Sequence, residues 1–138
     1  MTLDQDLSYL LYRSRALFSE DDLSNLEILR SAILFNACNS ITGFLCRDAN
    51  FFVQILEGPT HTITALLEKI RTDPRHEDLE LLETAPIKAR DYPQWSMGYA
   101  QATVMPETTF DKMEPAALRD LIKTASISQG RKVIYNLR

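Results

Sequence analysis

Short apolar runs alternate along this chain with stretches in which apolar residues recur every three or four positions. Leu7–Ser14 (LSYLLYRS) is a mostly apolar run with two tyrosines, and it predicts a buried strand. Ser19-Glu20-Asp21-Asp22 then offers capping side chains and first-turn acids. Leu26, Leu29, Ile33 and Asn36 follow at helical spacing with Ala32 beside them, so a helix is expected to stop near Asn36 to Asn39. Ile41–Arg47 (ITGFLCR) and Phe51–Glu57 (FFVQILE) read as strands joined by Asp48-Ala49-Asn50, a three-residue hairpin turn. A second helix starts near Thr60 to Thr62, carries Ile63, Leu66, Leu67 and Ile70 on one face, and ends at Asp73-Pro74. Leu79–Ala85 and Trp95–Val104 predict two more strands. Glu114–Thr124 predicts a helix with Pro115 in its first turn, where a missing N–H costs nothing, and with Leu118, Leu121 and Ile122 as its stripe. Arg131–Arg138 contains KVIY and suits either a short strand or a frayed end.

The resulting order, β-α-β-β-α-β with an added fifth strand and a C-terminal helix, is the ferredoxin-like split βαβ arrangement of the α+β class. Both crossover helices then lie on one sheet face, and the first and third strands are expected to be central, adjacent and parallel. Both strands are apolar at successive positions, so both of their faces should be covered. The C-terminal helix is the candidate cover for the second face. Residues 1–105 are expected to form the core and residues 106–138 a helical extension packed on the outer sheet face.

At 138 residues the chain fits one domain with a core of its own. Fifteen Lys and Arg against nineteen Asp and Glu give a net charge of −4, which argues against direct nucleic-acid binding. No segment approaches the roughly 18 consecutive apolar residues of a membrane span. The acidic start of MTLDQDLSYLLYRSRA does not read as a signal peptide. Cys38 and Cys46 lack a C-x-x-C spacing, so reduced thiols and a cytoplasmic setting are expected, with no metal site.

Three polar side chains fall on surfaces that should be dry. Leu10, Tyr12 and Ser14 share one face of the first strand, while Tyr9, Leu11 and Arg13 share the other. Gln54 lies in a run where every neighbour from Phe51 to Leu56 is apolar, and Asn36 is in line with the inward stripe of the first helix. Each has an ordinary reading: a core tyrosine with its hydroxyl at the rim, a helix-terminal asparagine, a structural glutamine. A buried amide or phenol without partners costs about 1–3 kcal/mol, however, so the three together suggest a site. A cleft with a phenol, two primary amides and apolar walls suits a flat heterocycle with alternating N–H and C=O groups along one edge.

The segments LLYRSRA (10–16), FNACNSITGFL (35–45), FFVQILEGP (51–59), KIRTDPRH (69–76) and PIKARDYPQWSM (86–97) resemble, in order, those of the BLUF family of flavin-binding blue-light sensor domains. The resemblance covers roughly residues 7 to 105. It implies a non-enzymatic photoreceptor with FAD as cofactor, FMN and riboflavin being alternatives. By this resemblance Tyr12 matches the photoactive tyrosine, and Gln54 the glutamine between that tyrosine and flavin N5/O4. Asn36 matches the asparagine on the flavin's pyrimidine edge. Trp95 and Met97 match the pair that exchanges proximity to the glutamine. Lys69, Asp73, Arg75 and His76 fall where the family contacts the ribityl and phosphate groups, and Ile28, Leu29, Ile63, Leu66 and Leu67 are wall candidates. Ala32 stands where several members carry a serine and Phe35 where they carry a polar residue, which removes contacts at the flavin edge.

The family mechanism implies electron and proton transfer from Tyr12 to the photoexcited flavin and a hydrogen-bond rearrangement of Gln54. The fifth strand would carry the change into the C-terminal segment. The few residues after the core leave no room for an effector domain, so the expected partners are a second copy of the chain or a separate downstream protein. Two other functions compete. An acylphosphatase-type hydrolase would use Arg13 or Arg15 with Asn39, but the Gly-rich phosphate loop is absent. A Cys/His pair would need Cys38 or Cys46 with His61 or His76, and both histidines read as surface residues. A ferredoxin-like RNA-binding module would expose Tyr9 and Phe51 or Val53 on an open sheet face.

Overall fold

A computed structural model describes residues 6–19, 22–102 and 109–128. The chain runs β1 (Leu7–Ala16), α1 (Ser24–Cys38), β2 (Thr42–Arg47), β3 (Phe51–Pro59), α2 (Thr60–Arg71), β4 (His76–Ile87), β5 (Gly98–Gln101), a 3-10 turn (Phe110–Lys112) and α3 (Pro115–Ser128). The five strands form one sheet in the order β4-β1-β3-β2-β5.

β1 and β3 are central and adjacent as the pattern predicts, but they are antiparallel. Each crossover helix spans a gap of one strand. The parallel relatives are therefore the strands that a helix connects, and the strand slotted between them runs the other way. β1 is antiparallel to β4 and β2 to β3, whereas β5 joins β2 in parallel. The β2–β3 contact needs Gly43, since a Cβ there would lie 2.1 Å from the Ile55 carbonyl oxygen.

The two faces of the sheet carry separate apolar layers. Leu10, Tyr12, Leu45, Phe52 and Leu56 face α1 and α2. Leu11, Phe44, Val53 and Ile55 face Phe110 and the α3 residues Leu118 and Ile122. The face that an RNA-binding module would leave open is thus covered, and Tyr9 there donates to Glu83 Oε1 at 2.9 Å. Among the described residues no helix is long and apolar enough to cross a membrane.

Several boundaries differ from the sequence pattern. α1 starts at Ser24, whose N–H is capped by Asp22 Oδ1 at 2.8 Å. Leu26, expected on the inward stripe, is 42% exposed, and Asn25 is buried in its place. Asn25 turns inward because its Oδ1 accepts from the guanidinium of Arg47 at 3.0 Å. Arg47 is fully buried, donates also to the carbonyls of Phe18, Asp48 and Ala49, and stacks on Phe18 and Phe52. Carbonyl dipoles and ring faces answer its charge.

β4 extends beyond Leu79–Ala85 at both ends, and α3 runs four residues past Thr124. β5 is shorter than Trp95–Val104 because pairing with β2 begins only at Phe44 and Gly98. Thr103 and Val104, Glu20 and Asp21, and the Arg131–Arg138 tail lie outside the described residues.

Candidate functional site

β1 and β3 set the floor of the site. Tyr12 and Gln54 are direct partners in their ladder, so their side chains stand side by side on the α1/α2 face. The Tyr12 hydroxyl donates to Gln54 Oε1, and Gln54 Nε2 donates to Met97 Sδ at 3.2 Å. All three residues are buried. Burial raises the pKa of the Tyr12 phenol well above its usual value, and the nearby Asp73 carboxylate pushes the same way. The phenol is therefore a neutral donor.

Above this floor lies a cleft of about 350 Å³ between the two crossover helices. Tyr12, Gln54 and Asn36 all line it. Asn36 Nδ2 donates to the Ser96 carbonyl at 2.8 Å, tying α1 to the segment that carries Met97. Of the expected wall residues, Ile28 and Leu66 line the cleft. Leu29, Ile63 and Leu67 do not; they are buried in the core cluster behind it.

Lys69, Asp73, Arg75 and His76 also line the cleft. The Lys69 ammonium sits 4.5 Å from the centre of the Phe35 ring. Arg75 forks onto Asp73, with Nη2 to Oδ2 at 2.7 Å and Nε to Oδ1 at 3.0 Å. These bonds hold the Asp73 carboxyl below its usual range and raise the Arg75 guanidinium above its own. His76 Nε2 lies 2.6 Å from the Ile70 carbonyl, to which it must donate, and Nδ1 lies 2.6 Å from Ser14 Oγ. Both ring nitrogens are thus taken up by the protein, so His76 staples the end of α2 to β1 and has no ring N–H left for a ligand.

Trp95 and Met97 go to opposite sides. Met97 joins the helix-facing cluster, whereas Trp95 packs in the α3-facing cluster, edge-on to Phe44 at 5.5 Å. Trp95 Nε1 is buried and meets no acceptor among the described residues. Neither residue lines the cleft, and Met97 reaches it only through Gln54. Their segment precedes β5 and forms no part of it.

Other lining residues carry no polar atom to mark them. Phe52 and Leu56 line the cleft in the same alternating phase as Gln54, and Leu45 is the β2 partner of Gln54. That phase is the signal that could have found them. Ile70 lies one helical turn beyond Leu66, and Ser31, Ala32 and Phe35 complete the α1 side. As for the competing sites, Arg13 is occupied by the Phe110 and Met113 carbonyls and Glu80, while Cys46 is buried on the face opposite the cleft with its thiol pushed up to about 12.

The arrangement provides a buried donor–amide–thioether chain under a largely apolar slot with a charged rim. Comparison with known proteins gives the same direction. Residues 7–98 match the family described as BLUF, sensors of blue-light using FAD. The chain is 40% identical over 97 residues to photoactivated adenylate cyclase subunit beta of Euglena gracilis, a match covering 70% of this chain and 11% of that protein. It is 42% identical over 97 residues to the Euglena longa protein of the same name, with the same coverage. The chain therefore spans about a tenth of the length of these relatives. Among solved structures, the photo-activated state of BlsA superposes with a TM-score of 0.75 at 29% identity, covering 88% of this chain and 95% of that one. The dark state of BlrB, a BLUF protein, superposes with a TM-score of 0.69 at 28% identity, covering 96% and 93%. With its family segment spanning β1 to the start of β5, this chain belongs to the BLUF family of blue-light sensors.

Proposed function

We propose that the chain holds FAD in the cleft between α1 and α2 and switches through Tyr12, Gln54 and Met97. The hydrogen-bond chain from the Tyr12 hydroxyl through the Gln54 amide to Met97 Sδ carries this reading. The residues fit the cofactor. The cleft walls are apolar, its floor offers a phenol and two amides, and its rim carries charge. Asn36 spends Nδ2 on Ser96, which leaves Oδ1 to accept from an imide N–H. Ile28 and Leu66 suit the ring faces, backed by Leu29, Ile63 and Leu67. Lys69 and the Asp73–Arg75 pair suit the polar tail, and His76 holds that rim in place. The family description names FAD; FMN and riboflavin share the ring system that the floor would recognise.

Bound flavin supplies blue-light absorption and, once excited, a vacancy for one electron. Tyr12 is the donor. Its phenol is held protonated, so its proton leaves only when the electron does, and Gln54 Oε1 is the acceptor already in place. Gln54 is the side chain on the floor whose amide meets the Tyr12 hydroxyl through its acceptor end and Met97 Sδ through its donor end. Turning its amide exchanges Nε2 for Oε1 without moving the backbone and gives up the contact with Met97 Sδ. Purified protein should be yellow, and blue light should shift its absorption reversibly to longer wavelength. Protein that cannot be loaded with flavin, or that shows no shift, would sink the proposal.

The unit acts as a sensor with no catalysis of its own, in the cytoplasm. Residues 1–105 form the sensing core and 106–138 the reporting extension, which signals by self-association or to a separate protein. Two routes support output through α3. Met97 leads directly into β5. Arg13, the residue after Tyr12, points to the other face and donates from Nη1 to the carbonyls of Phe110 and Met113 at 2.8 and 3.1 Å. Replacing Arg13 with Met should keep the light-induced shift while weakening α3 docking by about 2 kcal/mol, since bonds from a charged donor are lost. Limited proteolysis should then cut near residue 113 in the dark as readily as in the light. Unchanged dark resistance would remove Arg13 from the route.

A further inference from the structure

β3 holds the stretch from Asp91 to Met97 from both of its faces. On the cleft side Gln54 reaches Met97. Three residues on, and on the α3 side, Glu57 is buried, and its carboxylate grips the start of the same segment. Glu57 Oε2 accepts the Asp91 N–H at 2.6 Å, and Oε1 accepts the Tyr92 N–H at 3.0 Å and the Thr42 hydroxyl at 3.1 Å. Two successive backbone N–H groups aimed at one carboxylate form an anion-binding turn. Arg90 closes the same corner, donating to the Glu57 carbonyl, Thr42 Oγ1 and the Ser40 carbonyl. From there the path to Met97 is short and pinned. The Trp95 N–H bonds to the Tyr92 carbonyl, Gly43 N–H to the Trp95 carbonyl, and Asn36 to the Ser96 carbonyl.

We propose that Glu57 is a positioning residue for the Gln54–Met97 contact and so sets how long the light-activated arrangement lasts. This rests on the switching role assigned above to Gln54. Light alters the Gln54 end of the segment; the Glu57 end stays fixed to the same strand. The fixed end favours the arrangement in which Met97 Sδ faces Gln54 Nε2, and it drives the return to that arrangement in the dark. A buried carboxylate is required because a carboxamide at this position accepts through one oxygen only and cannot hold both N–H groups and the hydroxyl.

The test is Glu57→Gln in the full chain loaded with FAD. Its thermal return after blue light should be roughly tenfold slower than in the unaltered protein, as loss of a charge-assisted bond implies. In the dark and without flavin, amide hydrogen exchange at Asp91 and Tyr92 should speed up by a similar factor. Arg90→Gln loosens the same corner without touching the carboxylate and should slow the return in the same sense, which decides the matter if Glu57→Gln does not fold. Leu82→Ala, a truncation on β4 at the opposite edge of the sheet from β5, should lower thermal stability and leave the return rate alone. A return that is unchanged or faster in both Glu57→Gln and Arg90→Gln overturns the role of Glu57. Absence of any light-induced shift in the unaltered protein would instead overturn the proposed function.

Discussion

Tyr12→Phe should give a yellow protein that no longer changes colour in blue light. Phenylalanine keeps the ring that packs at the cleft floor beside Phe52, so flavin loading should persist. What disappears is the hydroxyl that donates to Gln54 Oε1. With it go both the accessible electron and the proton that would follow it. The cost in stability should be modest, about 1 kcal/mol, because one buried acceptor loses its donor while packing is retained. Absorption spectra before and after illumination check this directly. A shift of normal size in Tyr12→Phe would mean that another residue is the donor. Trp95 would be the first to examine, given its buried Nε1, which meets no acceptor among the described residues.

Gln54→Glu should lose the shift and also make stability depend on pH. The side chain at 54 is surrounded by Tyr12, Leu45, Leu56 and Met97, with little water to stabilise a charge. Burial therefore raises the carboxyl's folded pKa above its unfolded value. Near pH 4 and below, both folded and unfolded forms carry the proton, and the variant should match the original. As pH rises the unfolded chain ionises first, so stability falls until the folded pKa is passed. By neutral pH the loss should reach about 4 kcal/mol. Denaturant unfolding at pH 4 and pH 7.5 measures the difference. A variant equally stable at both, relative to the unaltered protein, would mean that position 54 is wetter than its surroundings imply.

The elements were legible in the sequence because each had a strong local signature. The alternation in FFVQILE assigns Gln54 to the face of Phe52 and Leu56, and the spacing of Ile63, Leu66, Leu67 and Ile70 gives α2. The direction of β3 relative to β1 was not, since strand sense follows from how the crossovers interleave. Leu26 misled because Asn25, its neighbour, has a stronger claim on the interior through Arg47, and the identity of that partner lies in another element. The same limit applies to Glu57 and to the sides taken by Trp95 and Met97. Nothing in PIKARDYPQWSM says that a carboxylate more than thirty residues earlier will hold its middle, or that one end will thread across the sheet. Tyr12, Gln54 and Asn36 stood out because polar groups in dry places need a reason.

Tyr12 and Arg13 are consecutive, yet one looks into the cleft and the other into the α3 layer. On the proposed function, detector and transmitter are separated by a single peptide bond and the thickness of one pleated layer. A message passing that way does not have to travel round an edge, and whatever docks outside never needs to meet the pigment. Such a component can be rewired to new recipients by changing its back surface alone, leaving its optical chemistry as it was.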